Sequence, residues 1–208
     1  MHPVNFNIIL VLRLAVTALL LAGRFLYPSV QADSTSEPGE NFFGKDQFHV
    51  FRIELKPERM ESLRRTPRHY VSGVIYDGNT EFRSVGIHLK GSGTFQSIDQ
   101  KPSFTLSFVK FGGPSIDHLT KIHLNNSAED PTYANEKIGS EIFERHGIAA
   151  CRVTRALVYL NGRRLGFYTV IEGFTPEFTR ARHLPSGSQY YELKAGEDFS
   201  ALLPWFKK

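Results

Sequence analysis

The sequence predicts an α+β domain in which an antiparallel sheet packs against helices. Two pairs of strand-like segments flank Asp77-Gly78-Asn79 and Asn161-Gly162, which carry the residue types that tight hairpin turns require. One amphipathic helical segment lies between these two hairpins. The 208 residues, of which 41% are hydrophobic, provide one packed core and are too few for two large ones.

The first 32 residues differ in composition from the rest of the chain. Leu14 to Gly23 is an uncharged apolar run, Arg13 precedes it, and Val30-Gln31-Ala32 resembles a signal-peptidase site. The run is about half as long as the roughly 20 residues that cross a bilayer. We therefore expect a signal peptide cleaved after Ala32, with an uncleaved N-terminal anchor as the alternative. Either way the domain is expected to be exported, and only this segment would contact a membrane.

Charge argues against a nucleic-acid-binding protein. Arg13 and Arg24 are the only charges in the first 32 residues, so the formal net charge falls from +4 to +2 without them. The remaining Lys and Arg residues are scattered along the sequence, whereas nucleic-acid binding requires a clustered basic face. The single cysteine, Cys151, cannot form an intrachain disulfide.

The predicted domain begins after a linker at residues 33–47. Asp33 to Asn41 is polar, contains proline and glycine, and has no apolar residue. From Phe51 to Leu55 apolar residues alternate with polar ones, which predicts a strand, and Pro57 then begins a short helix to about Leu63.

A predicted sheet follows this helix. Tyr70 to Tyr76 and Phe82 to Lys90 form the first hairpin, and alternating apolar residues predict another strand over Ser103 to Val109. A further short strand is predicted to begin near Leu119 and to end at Asn125-Asn126.

The clearest predicted helix begins at Asp130-Pro131 and ends near His146. Asp caps free amides, and Pro is tolerated at the first helical position. Gly147 supplies a C-terminal stop. Apolar residues recur at helical spacing and predict a buried stripe: Ala134, Ile138 and Ile142.

The second hairpin and one more helix complete the predicted domain. Val153 to Leu160 and Leu165 to Glu172 are its strands, and Thr175-Pro176 has the residue types that begin a helix.

A glycine loop is the first candidate for ligand binding. Gly91, Ser92 and Gly93 follow a predicted strand, so their backbone amides could approach a phosphate. No further glycine, Walker lysine or helix follows at the required spacing, and a plain tight turn is the alternative.

Lys101 is the second candidate. It lies just before a predicted strand, where its ammonium could contact nucleotide phosphates if a carboxylate held it in place. Glu136 and Glu141 on the predicted helix are possible partners. The alternative is a solvated loop lysine beside helix-surface glutamates.

Other chemistry-bearing residues do not form a recognisable site. Asp130 and Asn135 have a spacing found in kinase catalytic loops, but a helix cap explains Asp130 better. Cys151 has no neighbouring histidine in the sequence that would mark a nucleophile. No metal site is predicted, because the histidines lack metal-ligand spacing: His69, His88, His118, His123 and His146.

Several stretches together resemble the spore-coat protein H (CotH) kinase-like family over about Phe48 to Leu193. In the first half they are Val85 to Phe95, Lys101 to Phe104 and Lys121 to Asn126. In the second half they are Asp130-Pro131, Asn135-Glu136, Glu141 to Phe143, Gly147-Ile148, Leu160 to Gly162, Gly166 to Tyr168 and Glu172.

The resemblance implies the nucleotide-binding lobe of an atypical protein kinase, with ATP and Mg²⁺ as cofactors and protein Ser/Thr hydroxyls as acceptors. Lys101 would contact the phosphates and Glu141, or less favourably Glu136, would orient it. The loop Gly91 to Phe95 would cover the phosphates, and Glu172 would lie near the hinge between two lobes. Pro102 stands where many members have a second basic residue.

The resemblance also implies that the domain, residues 48–208, is truncated. Tyr190 to Lys194 would correspond to the start of a second lobe, and 15 residues follow Leu193. The metal-binding and catalytic acids of the family would lie downstream, so no catalytic residue is assigned and the chain alone is expected to be inactive. The rival interpretation is a non-catalytic cell-surface or coat module, whose partner would be another protein rather than a phosphorylation substrate.

Overall fold

The computed structural model describes residues 36–45, 47–185 and 187–188. The predicted signal peptide, its cleavage site and the predicted second-lobe start at Tyr190 to Lys194 lie outside these residues. Within the described ranges, no helix has the length and apolar character needed to cross a membrane.

Seven strands form a closed barrel in the order β1-β2-β3-β4-β5-β7-β6. All neighbours are antiparallel except β1 and β6, whose parallel pairing from Phe48↔Arg155 to Ile53↔Leu160 closes the barrel. The strands are β1 (Phe48–Glu54), β2 (Val71–Asp77), β3 (Thr80–Lys90), β4 (Ser103–Ser107), β5 (Lys121–Asn125), β6 (Val153–Leu160) and β7 (Arg163–Glu172).

The predicted α+β fold, a sheet with packed helices resembling a kinase nucleotide-binding lobe, is wrong. The three helices of the described part are short: α1 (Pro57–Arg65), α2 (Asn135–Arg145) and α3 (Pro176–Ala181). On α1 only Leu63 is buried, and α2 buries no residue. The hydrophobic core instead lies inside the barrel, because closure lets the strands bury their inward side chains against one another.

The barrel interior is filled by alternate residues of each strand. Phe51, Ile87, Phe104 and Leu124 are fully buried. Their sequence neighbours on β1 and β5 are more exposed, whereas β4 is buried along its whole length. Tyr168 is also buried, and its hydroxyl donates a 2.8 Å hydrogen bond to the carbonyl of Pro102. Burial raises the pKa of this phenol, so it stays a donor.

The described part of the predicted linker contributes to the core. Phe42 and Phe43 are buried, and the Phe42 ring stacks on His49 with centroids 4.1 Å apart. The amide of Phe42 donates to Asp117 Oδ2 at 2.8 Å. These contacts connect residues 37–45 to the barrel.

Helix α2 differs from the predicted helix in its first residue and in the exposure of its apolar side chains. It begins at Asn135, and Asp130 Oδ2 accepts hydrogen bonds from the amides of Ala134 and Asn135 at 2.9 Å. Asp130 therefore caps the turn that leads into the helix. The predicted buried stripe is wrong, because Ile138 and Ile142 are 53% and 52% exposed. Where α2 meets the barrel, Ser140 Oγ donates to the carbonyl of Cys151 at 2.6 Å.

Candidate functional site

A cleft of about 720 Å³ lies between α2 and the outer surface of the barrel. Three neighbouring strands contribute its floor, each with one outward residue: Asn125 of β5, Ile171 of β7 and Val153 of β6. One end is apolar and includes Phe143, Ile148 and Phe174. The other end is polar and includes Thr94, Asn125, Ser127, Asp130 and Glu136. A pocket with apolar walls and a few polar groups is the usual form of a small-molecule site.

Helix α2 presents small residues to the cleft. Gly139 and Ser140 line it, and a Cβ added at Gly139 would meet no atom within 4 Å. Glycine inside a helix costs about 1 kcal/mol relative to alanine. A glycine at this point of α2 keeps the space above the barrel open.

The polar end of the cleft is ordered by hydrogen bonds. Asn125 Nδ2 donates to Glu136 Oε1 at 2.9 Å, and Ser103 Oγ donates to Asn125 Oδ1 at 3.2 Å. The Ser127 and Thr169 hydroxyls lie 2.9 Å apart, which joins the loop after β5 to β7. The polar groups at this end are therefore held in fixed positions before any ligand binds.

Lys101 lies at the rim of the barrel between two aromatic rings. Its Nζ donates to Tyr133 Oη at 2.7 Å and lies 4.9 Å from the Tyr133 ring centroid and 5.2 Å from that of Tyr168. Lys101 is not among the residues that line the cleft. A lysine in this position is stabilised by cation–π attraction as well as by the hydrogen bond.

The structure does not bring Lys101 and Glu141 together. Glu141 lies on the solvent side of α2, 3.5 Å from Lys137 Nζ and 3.9 Å from Arg145 Nη2. Glu136, the less favoured partner, accepts from Asn125 instead.

The glycine loop lies at the edge of the cleft. Arg68 donates to the carbonyls of Leu89 and Gly91, and its guanidinium lies 5.0 Å from the Phe95 ring centroid. Gly91 has φ of 108°, which favours glycine, and the amide of Phe95 closes a turn on the Ser92 carbonyl. Gly93 has open space around it. Thr94, the next residue, lines the cleft.

Glu172 is buried at the end of β7 and is surrounded by arginines. Its Oε1 lies 2.5 Å from Arg152 Nη2, and its Oε2 accepts from Arg152 Nε at 3.0 Å and lies 3.0 Å from Arg182 Nη2. Arg182 also donates to the carbonyl of Ala150 at 2.6 Å. The carboxylate thus joins β7, the segment before β6 and the end of α3, and both of its oxygens are occupied.

Cys151 lines the cleft with its thiol in the protonated form. Burial, together with the negative charge of Glu172, raises the pKa of its thiol to about 12. The thiol is therefore protonated at neutral pH, and the thiolate is the reactive form.

The residues that the structure describes include no preformed metal-binding cluster. No group of three or more His, Cys, Asp or Glu residues in the described ranges is placed to hold a metal ion. Two of the carboxylates at the polar end accept hydrogen bonds within the protein, Asp130 from backbone amides and Glu136 from Asn125.

Sequence reasoning missed most of the cleft. Phe143 and Ile148 belong to stretches that carry the family resemblance, but no sequence signal marked them or Phe174 as cleft residues. They line one cleft because the barrel places α2 beside the end of β7. One signal was present, since Gly139 interrupts an otherwise well-formed helix.

The sequence profile of the CotH kinase protein family matches residues 87–208. This range includes the glycine loop, Lys101, α2 and the second hairpin, which also carry the resemblance seen in the sequence. No curated protein matches the chain. Because the family match covers more than half of the 208 residues, the chain belongs to the CotH kinase family.

Proposed function

We propose that this chain binds a nucleotide of the ATP type in the cleft beneath α2, in support of the protein Ser/Thr phosphorylation that the family resemblance implies. The observation that carries the proposal is the division of one 720 Å³ cleft into an apolar end and a polar end. The nucleoside part of ATP has the same division, between a flat aromatic base and a polar sugar.

The apolar end suits the base. Phe143 and Phe174 are 52% and 56% exposed, so both rings offer surface to a ligand. An aromatic ring stacked on another contributes about 0.5–1.5 kcal/mol beyond the area it buries. Ile148 and Ile171 complete an apolar wall around this end.

The polar end suits the sugar, because its hydroxyl and amide groups can hydrogen-bond to ribose, whereas the nearby carboxylates of Glu129, Asp130 and Glu136 would repel a phosphate. Ser127 offers a hydroxyl, Asn125 an amide and Thr94 a further hydroxyl at the edge of the glycine loop. Lys101 stays a proposed contributor, since its ammonium would have to leave Tyr133 Oη, 2.7 Å away, to reach a ligand in the cleft.

Phosphoryl transfer requires groups that the described residues do not provide. The reaction needs carboxylates that hold Mg²⁺ and one that positions the acceptor hydroxyl. Within the described ranges no such cluster exists. We therefore propose that these residues bind nucleotide without transferring its phosphate.

Calorimetric titration of the purified chain with ATP tests the nucleotide site. In Gly139→Phe a large side chain enters the open space above the barrel, and binding should be lost. Gly139→Ala is the matched control, because it changes the same position with one methyl group and should bind as the parent does. Equal binding by the parent and Gly139→Phe would place any nucleotide outside the cleft.

A second candidate function is a non-catalytic protein-binding module at a cell surface or coat. The observation in its favour is a pair of half-exposed apolar side chains one turn apart on α2, Ile138 and Ile142. The proposed partner is a protein with a complementary apolar surface. A folded parent chain that binds no ATP would favour this function over the first.

Export is proposed from the N-terminal sequence. Expression of the full chain in a secreting host, followed by mass spectrometry, tests it. A mature N-terminus at Asp33 supports cleavage, a retained Met1 in the membrane fraction supports the anchor, and a cytoplasmic full-length chain contradicts export.

A further inference from the structure

The outer face of β1, β6 and β7 carries an apolar strip that is open to solvent. Strand register places Val50 opposite Leu157, and Leu157 opposite Phe167, so their side chains are neighbours. Phe48 extends the strip, since its ring centroid lies 6.1 Å from that of Phe167 in an edge-to-face arrangement. Phe48 and Phe167 are 49% and 50% exposed. The inward neighbours of these residues in sequence are buried: His49, Phe51, Ala156, Val158 and Tyr168.

Arginines lie at both ends of this strip. Arg155 is opposite Phe48 at one end. At the other end, Tyr159 lies between Arg52 of β1 and Arg164 of β7. All three arginines are exposed. We call the strip and its surrounding residues the arginine–aromatic face: Phe48, Val50, Arg52, Arg155, Leu157, Tyr159, Arg164 and Phe167.

The positive charge of the arginine–aromatic face is not neutralised by the strands that form it. In the part of the chain that the structure describes, none of its three arginines forms an ion pair. The strands β1, β2, β6 and β7 contain three carboxylates. Asp77 pairs with His49, and Glu172 is buried. Glu54 is exposed on the same side of β1 as Arg52, so one exposed carboxylate stands against three guanidinium groups.

The composition of this face is typical of a surface that binds another protein. Aromatic residues and arginine are enriched in protein interfaces, whereas lysine and the acidic residues are depleted. Tyr, Trp and Arg also contribute most to the binding energy in such interfaces. The eight residues of the arginine–aromatic face include three aromatic residues, three arginines and no lysine. Its apolar centre with charged residues at the ends is the arrangement that protein interfaces share.

We propose that the arginine–aromatic face binds an acidic protein segment that also carries apolar side chains. The partner's carboxylates would pair with the guanidinium groups, whose planar donors suit carboxylates better than an ammonium does. Its apolar side chains would cover Phe48 and Phe167, which distinguishes a protein partner from a polymer that offers charge alone. The inference is independent of nucleotide binding, because no residue of this face lines the cleft.

Biolayer interferometry with the full chain and immobilised polymers tests this assignment. The probes are a random copolymer of glutamate and tyrosine, and polyglutamate of similar length. The copolymer should bind about tenfold more tightly than polyglutamate, because it offers rings as well as carboxylates. Its affinity should fall as salt is added, because salt screens exposed charges.

Variants locate the binding surface. Arg155→Gln and Phe167→Ser should each weaken copolymer binding about tenfold. The matched controls are Arg59→Gln and Phe111→Ser, which change an exposed arginine of α1 and an exposed phenylalanine outside this face. Both controls should bind the copolymer as the parent does. Thermal unfolding of each variant verifies that it is folded.

Three results would overturn the assignment. The first is a folded parent chain that does not bind the copolymer, or binds it no better than polyglutamate. The second is copolymer binding that neither Arg155→Gln nor Phe167→Ser weakens. The third concerns a second copy of the chain as the occupant: sedimentation would then show self-association that Phe167→Ser abolishes.

Discussion

Glu172 and Arg152 form a buried ion pair at the end of β7, with Oε1 and Nη2 2.5 Å apart and no exposure of the glutamate side chain. Arg182 contacts the same carboxylate at 3.0 Å. Two guanidinium groups therefore share one buried negative charge next to the cleft.

Removing the Glu172 charge should destabilise the protein strongly. Glu172→Gln leaves Arg152 and Arg182 without their counter-charge, and breaking a buried ion pair costs about 3–5 kcal/mol. Urea unfolding measures the change in the free energy of unfolding. Glu141→Gln removes an exposed carboxylate and should cost less than about 0.5 kcal/mol. A similar loss of unfolding free energy in Glu172→Gln and Glu141→Gln would contradict a structural role for the buried ion pair.

Acid should destabilise the protein through His123. Burial, with nearby positive charge, lowers its pKa to about 3 in the folded state, against 6.5 when unfolded. Between these values the unfolded chain binds a proton that the folded chain does not, so stability falls as pH falls below 6.5. His123→Gln should reduce the loss of unfolding free energy between pH 7.5 and 5.5 by about 1.4 kcal/mol. An unchanged pH dependence would show that the pKa of His123 is not lowered in the folded protein.

His49 should act with the opposite sign. Burial alone would lower its pKa, but hydrogen bonds to Asp77 at 2.7 Å and to the Phe42 carbonyl, with the Asp77 charge, raise it. A raised folded-state pKa gives stability that is fully present below pH 6.5 and is lost as pH rises through the folded pKa. His49→Gln should therefore cost more unfolding free energy at pH 5.5 than at pH 8.5. A larger cost at the higher pH would contradict this ion pair.

The apolar face of α2 should cause self-association. Ile138, Ile142 and Phe143 are each more than half exposed, and exposed apolar patches on soluble proteins commonly mark interaction sites. Sedimentation analysis should show a mass that rises with concentration and falls in Ile142→Glu. Val109→Glu is the control, because Val109 is a similarly exposed apolar residue outside α2. A parent chain that remains monomeric at high concentration would contradict self-association through α2.

Local sequence signals predicted the hairpins, and the structure confirms both. Asn161 and Gly162 have φ of 46° and 79°, which Asn and Gly tolerate better than other residues, so the turn is specified by two adjacent positions. Asp77 and Thr80 close the other hairpin. Such features depend on neighbours in sequence and need no knowledge of the rest of the fold.

Barrel closure could not be predicted in the same way. Phe48 pairs with Arg155, and a parallel pairing between such distant segments leaves no local pattern in either strand. The same limit applies to α2, because its periodicity indicates an apolar stripe without showing whether anything covers Ile138 and Ile142. Their exposure follows from how the barrel positions the helix.

The candidate site was predictable only in part. The glycine loop and Lys101 were recognisable as motifs, and their role in binding stays a prediction. Tyr133 lies 32 residues beyond Lys101 in the chain, so its hydrogen bond to the ammonium could not be inferred.

The most direct test of the central claim is an NMR titration of the isotope-labelled chain with ATP. We expect saturable shifts of the backbone amides of Ser127, Gly139 and Phe174, which line the cleft, with smaller shifts in α1, which does not line it. Saturable shifts confined to residues outside the cleft, or none at millimolar ATP in a folded protein, would contradict nucleotide binding in the cleft.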